Sequence, residues 1–173
     1  MLFGDASSFA IEYDLDREFG GEWLFGKICY WIDGVRIGNY DLGTSLRDVL
    51  FQVKYIDHYC GNRFGGGLCK IGAEKVFYLV DKSLYGEGEE GDGVVIDIPD
   101  NLVRYDVRIP VDAFDEWKIY LVDCEKDAML IYKNEEEKKP SFYSLPKGRF
   151  DKIFLDFYAR LESDYEKEAA LDK

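Results

Sequence analysis

Histidine and positive charge are what this chain has least of. One histidine, His58, stands in 173 residues, and 22 lysines and arginines face 35 aspartates and glutamates, a net charge of −13. The shortage of bases argues against direct binding of nucleic acid, because a phosphate backbone needs Lys and Arg to neutralise it. Long apolar runs are also missing. None approaches the ~20 residues that span a bilayer, and the opening MLFGDASSFA has no basic n-region of a signal peptide. The expectation is a cytoplasmic protein with no membrane partner. The four cysteines, Cys29, Cys60, Cys69 and Cys124, are scattered, and in a reducing compartment they are expected to be free thiols.

Metal and catalytic signatures are sparse as well. His58, Cys60 and Cys69 match no zinc spacing and lack a fourth ligand. A Cys–His nucleophile pair fails too, since residues two apart on a helix point to different faces. Gly86 to Gly91 fits G-x-G-x-x-G formally, but it follows a helix pattern, and the glutamates within and beside it would repel phosphate. Glu87, Glu89, Glu90 and Asp92 could attract calcium, yet they lack the twelve-residue ligand order. Carboxylate pairs for glycosidase-type work are too many among 35 acids to be told apart. No cofactor, metal or enzymatic activity is expected.

What the chain has is aromatic and β-branched density: hydrophobic residues make up 47% and aromatics 16%, enough for one packed domain and against disorder. Phe9 to Leu15 alternates with period two and reads as a half-buried antiparallel strand. Trp23–Ile32 and Val35–Tyr40 flank Asp33-Gly34, the strongest short hairpin signal, because a type I′ turn needs positive φ at both central residues. With that loop, Ile32 faces Val35 and Tyr30 faces Ile37. Ser45 with Asp48 resembles a capping box, and Leu46, Val49, Leu50, Val53 and Ile56 form one helical stripe. NRFGGG (62–67) is a loop. A second helix is expected over Ala73–Tyr85 with Gly86 as its C-cap. Val94–Ile98 and Val103–Ile109 read as strands, and Trp117–Cys124 with Ala128–Lys133 as a hairpin around 125–127. After a charged connector, Phe150, Ile153, Phe154, Phe157 and Leu161 make the strongest helical stripe. The fold class is therefore α+β, an antiparallel meander or hairpin sheet with about three helices packed on it. It is expected as one domain over 1–165, with a frayed acidic tail at 166–173. Trp23, Trp31 and Trp117 are expected to pack in the core or the hairpin, and any of them left exposed would be a natural anchor.

The segments Phe3–Asp5, Phe9–Asp16, Trp23–Gly34 and Ile37–Val49, with an echo over Val76–Gly86, resemble the immunity proteins of bacterial polymorphic toxins, family 42. The resemblance implies a non-enzymatic protein that binds and neutralises a cognate toxin domain, including toxins of contact-dependent growth inhibition, many of which are nucleases. It implies a monomer or weak oligomer in the free state, whose partner is the toxin's C-terminal domain. A nuclease cleft must be basic, so carboxylates could stand where phosphates would. Between Ser83 and Val103 there are six acids and no base. Glu87, Glu89, Glu90, Asp92, Asp97 and Asp100, with Asp112, Asp115 and Glu116, are therefore the candidate partner-binding residues. The alternatives are an acidic adaptor or nucleic-acid mimic with another basic partner, or a small carboxylate-based hydrolase.

Overall fold

The computed structural model describes residues 1–16, 23–86 and 101–171, Leu171 by its backbone alone. The chain divides into two compact units, one of residues 1–58, 109–116 and 150–173, the other of 59–108 and 117–149.

The first unit is a five-stranded antiparallel sheet in the order β1-β2-β3-β4, with β5 also on β3. The strands are β1 (Leu2–Gly4), β2 (Phe9–Leu15), β3 (Phe25–Ile32), β4 (Val35–Ile37) and β5 (Thr44–Ser45). The hairpin has the expected register, Ile32 opposite Val35 and Tyr30 opposite Ile37. Asp33 (φ 52°) and Gly34 (φ 76°) both take the left-handed conformation that this turn requires. The Ser45 hydroxyl accepts from the Asp48 N–H at 3.1 Å and caps helix α1 (Leu46–Gln52). Val53 interrupts the helix, which resumes as α2 (Lys54–His58), and all five stripe residues are buried.

Strand alternation sends Phe9, Ile11, Tyr13, Ile28, Tyr30, Ile32 and Ile37 to one face, where all are buried. The long C-terminal helix supplies the complementary stripe. Phe150 stacks on Phe9 at 4.9 Å between centroids, and Phe157 meets Tyr13 edge-on at 5.8 Å. The expected frayed tail (166–173) is helical as far as Leu171. Two contacts hold the helix beyond the end of its apolar stripe. Asp164 is buried, accepting from the Tyr13 hydroxyl at 2.7 Å and from Arg160 Nε at 3.0 Å. Tyr165 packs edge-on against Phe51. Burial, then hydrogen bonding to the Asp164 carboxylate, pushes the Tyr13 phenol up.

The second unit pairs a helix with a three-stranded antiparallel sheet. Helix α3 covers Ala73–Tyr85, as the periodicity predicts, and ends on Gly86 at φ 69°. Its Val76, Phe77 and Val80 pack with Tyr120, Val122 and Ile131 of the sheet β6 (Trp117–Asp123), β7 (Asp127–Asn134) and β8 (Ser141–Pro146). Helix α4 (Arg149–Leu171), already placed in the first unit, follows β8 in the chain.

Two expectations change here. Val103–Ile109 is no strand: Leu102–Tyr105 forms a 3-10 turn, followed by a single bridge from Asp106 to Tyr120. The alternating burial of Tyr105, Val107 and Ile109 is real, but the Arg104 guanidinium donates to the Asn101 carbonyl at 2.7 Å and winds the segment back on itself. The cysteines change as well. Cys69 and Cys124, expected to be free, form a disulfide with Cα atoms 5.9 Å apart, leaving Cys29 and Cys60 free. The NRFGGG loop runs directly beside the end of β6. Asp123 N–H donates to the Arg63 carbonyl and Gly65 N–H to the Asp123 carbonyl, both at 2.9 Å. A Cβ on Gly65 would stand 2.7 Å from Val122 Cγ1, so only glycine permits that approach. Val94–Ile98 lies outside the described residues.

Candidate interaction surface

Of the acids singled out in the sequence, Glu87, Glu89, Glu90, Asp92, Asp97 and Asp100 lie outside the described residues. Asp112, Asp115 and Glu116 are exposed. They sit around one 3-10 turn (Asp112–Phe114) of the first unit, which turns Ala113 and Phe114 inward, Phe114 against Tyr30 at 5.2 Å. The turn thus leaves its three acidic residues at the surface because its apolar residues are spent on the core. Among the described residues no three His, Cys, Asp or Glu side chains are grouped as a metal would need, and no helix is long and apolar enough to cross a membrane. Cys29 is buried, and burial first, then the Glu12 carboxylate, pushes its thiol up to about 12. A thiol so held stays protonated near neutral pH and is no nucleophile.

The sheet of the first unit has a second face, and its side chains are of a different kind. The register that sends Tyr30 and Ile32 to one face sends Ala10, Glu12, Asp14, Lys27, Cys29, Trp31 and Arg36 to the other, where Ala10 and Cys29 are covered by their neighbours. Trp31 Nε1 donates to Glu12 Oε2 at 2.7 Å, which fixes the indole. The Arg36 guanidinium lies 4.9 Å from the centroid of Trp31 and 4.9 Å from that of Tyr40. Lys27 reaches the same Tyr40 ring at 5.8 Å and pairs with Asp41 at 3.7 Å. Burial beneath these side chains, then Glu12 and Asp14, pushes the Tyr40 phenol up to about 12. Each exposed cation–π contact stabilises by about 0.5–1 kcal/mol, so the cluster is held in shape with little desolvation of its charges. Sequence reasoning passed over it, although the signal was present. A turn that sets Ile32 opposite Val35 and Tyr30 opposite Ile37 must also set Trp31 opposite Arg36, as it does.

Near the same hairpin, Trp23 is 51% exposed, with the Arg47 guanidinium 3.6 Å from its ring centroid. Phe25 is 43% exposed beside it in sequence. None of the three tryptophans is buried: Trp31 and Trp117 are half-buried. They belong to the surface, where an amphipathic ring with one polar end is suited to recognition.

The second unit has its own exposed aromatic. Phe64, 51% exposed, lies under Lys147 at 5.0 Å, on a hollow of about 520 Å³ lined also by Gly66, Cys69, Lys70, Cys124 and Lys126. Inside the unit is a polar network. Buried Asp81 accepts from the Tyr120 hydroxyl at 2.8 Å and pairs with Lys118 at 2.8 Å, while the Tyr85 hydroxyl donates to Asp106 at 3.0 Å. Burial pushes the Tyr120 phenol and the Asp106 carboxyl up, and for Tyr120 the Asp81 charge adds to it. Each group has its partner inside the fold, which makes the network structural.

Both units therefore present aromatic side chains flanked by charge. The crystal structure of CdiI from Burkholderia dolosa AUO158 has a similar fold, with a TM-score of 0.71 at 19% identity, covering 92% of this chain and 99% of that one. Comparison with curated proteins returned no match. The family model of immunity protein 42 matches residues 1–160. With nearly its whole length matched, the chain belongs to the immunity protein 42 family.

Proposed function

We propose that this protein binds one cognate toxin domain, of the kind delivered in contact-dependent growth inhibition, and neutralises it by covering its active or substrate-binding site. Inhibition is by occlusion, without chemistry, in the cytoplasm of the cell that makes both proteins. The observation that carries this reading is the family match over residues 1–160. The exposed aromatic and charged clusters of the described surface are compatible with a protein partner. The net charge of −13 favours a basic toxin such as a nuclease, because opposite fields speed encounter and disfavour wrong partners. The acids Glu87–Asp100, with Asp112, Asp115 and Glu116, are proposed as part of the surface that meets it.

The test is co-purification with the toxin domain encoded immediately upstream of this gene, paired with growth of cells expressing that domain. Rescue of growth together with a stable complex is expected. A cell that still dies while making soluble, folded protein, with no complex recovered, would refute the assignment. Charge reversal at Glu87, Glu89, Glu90 and Asp92 should slow association at low salt, and an unchanged rate would remove the acidic segment from the interface.

A further inference from the structure

The outer face of the first unit's sheet carries a guanidinium held by two rings. In a chain with 35 acids, an arginine would ordinarily be found against one of them. Arg36 is exposed and is instead bracketed by Trp31 and Tyr40, at 4.9 Å from each ring. A guanidinium carries five N–H donors in one plane, and a planar fork of this kind matches a carboxylate in bidentate fashion. The rings themselves are anchored, Trp31 by its bond to Glu12 at 2.7 Å and Tyr40 by packing that leaves it half-buried. An arginine fixed before binding loses little rotamer entropy on docking. Arg, Trp and Tyr are also the residue types that dominate binding hot spots.

We infer that the Trp31–Arg36–Tyr40 cluster is the anchor of the toxin-binding surface, and that Arg36 receives a carboxylate side chain of the toxin domain. This rests on the function proposed above and specifies its partner chemistry. The surrounding charges decide which oxyanion is taken. Glu12 and Asp14 share the sheet face, and Asp41 stands at Lys27. A phosphate with nearly two charges would be repelled by them, whereas a single Asp or Glu flanked by toxin lysines or arginines would find an opposite charge for each of its neighbours. The patch thus holds two cations, Arg36 and the Asp41-paired Lys27, among the carboxylates of Glu12, Asp14 and Asp41, complementary to an acid flanked by bases.

The experiment is a titration of the full chain with the purified upstream-encoded toxin domain, followed by calorimetry or biolayer interferometry. Arg36→Ala is expected to weaken binding by about 30-fold or more, the range of a hot-spot arginine. Arg36→Lys keeps the charge but loses the fork and should be nearly as weak, and Trp31→Ala should follow it. Because Arg36 is exposed, the two Arg36 variants should keep the parent's circular dichroism and melting temperature, so that their loss of affinity is a loss of contact. Inorganic phosphate at 10-fold excess over the toxin domain is expected to leave binding unchanged. If the parent binds and Arg36→Ala binds equally well, the anchor is refuted while the function stands. Effective competition by inorganic phosphate would overturn the carboxylate assignment. If the parent itself does not bind, it is the function that fails.

Discussion

Reduction of the Cys69–Cys124 disulfide should lower the stability of the protein by about 4 kcal/mol. The bridge joins residues 55 apart. Cross-linking removes loop-closure entropy from the unfolded chain by about 2.1 + 1.5R ln n cal/mol/K, which for a loop of this length is about 14 cal/mol/K, or about 4 kcal/mol at 25 °C. For a chain of this size each kcal/mol moves the midpoint by roughly 2–4 °C, so the melting temperature should fall by roughly 8–16 °C. The loop is also held to β6 by the Gly65–Asp123 and Asp123–Arg63 backbone bonds, which involve no sulfur and are expected to remain when the bridge is reduced. The penalty therefore lies mainly in the unfolded state, and the reduced protein should still fold. The assay is a thermal melt of air-oxidised protein with and without a strong reductant, beside the Cys69→Ser/Cys124→Ser variant. Thiol labelling of the denatured, oxidised chain should find only Cys29 and Cys60. The variant should melt with the reduced parent and ignore reductant. Labelling at all four cysteines after oxidation, or a melting temperature that reductant moves by less than 2 °C, would refute the reasoning.

Two further outcomes follow from the polar network of the second unit. Asp81→Ala leaves the fully buried Tyr120 hydroxyl without its acceptor and should cost about 2–4 kcal/mol in a denaturant melt. Tyr120→Phe removes the donor, leaves Asp81 its Lys118 partner, and should cost less, with the double variant falling short of the sum. For Asp106, burial raises the folded-state carboxyl above its unfolded value, so the folded chain keeps a proton that the unfolded chain has released. Its contribution to stability is present below the ordinary carboxylate range and is lost as pH rises through the raised value. Asp106→Asn should gain on the parent in melting temperature between pH 4 and pH 7, and a difference independent of pH would show that burial does not govern this group.

The elements that could be read from sequence are those fixed by neighbours along the chain. The Asp33-Gly34 turn, the Ser45 cap and the Gly86 terminus each depend on backbone conformations available to a few residue types, and all three occur where expected. The elements that could not be read depend on distant partners. Val103–Ile109 has the alternation of a strand, but whether alternate burial becomes a ladder depends on a neighbour with a free edge, and only Asp106 finds one. Compartment alone predicts free thiols at Cys69 and Cys124, whereas their pairing is decided by where the glycine loop meets β6. Beyond Glu162 the last helix has no apolar stripe, and it persists because Asp164 and Tyr165 find Tyr13 and Phe51 more than a hundred residues earlier.

The same distinction separates the two kinds of charge on this protein. A net charge of −13 is legible at once, but it acts through a field that salt screens within about 8 Å at physiological ionic strength. Such a field speeds approach to any basic surface and cannot choose among them. Choice requires groups whose positions are fixed before the partner arrives. Arg36 at the rings of Trp31 and Tyr40 meets that requirement, because both rings hold it and the Trp31 indole is itself fixed by its bond to Glu12. On the proposal that Arg36 anchors the toxin domain, the hairpin that reads most clearly as scaffold does both tasks. Its inward residues bind the sheet to the core, and the alternation that sends them there delivers an arginine and its aromatic flanks to the opposite face.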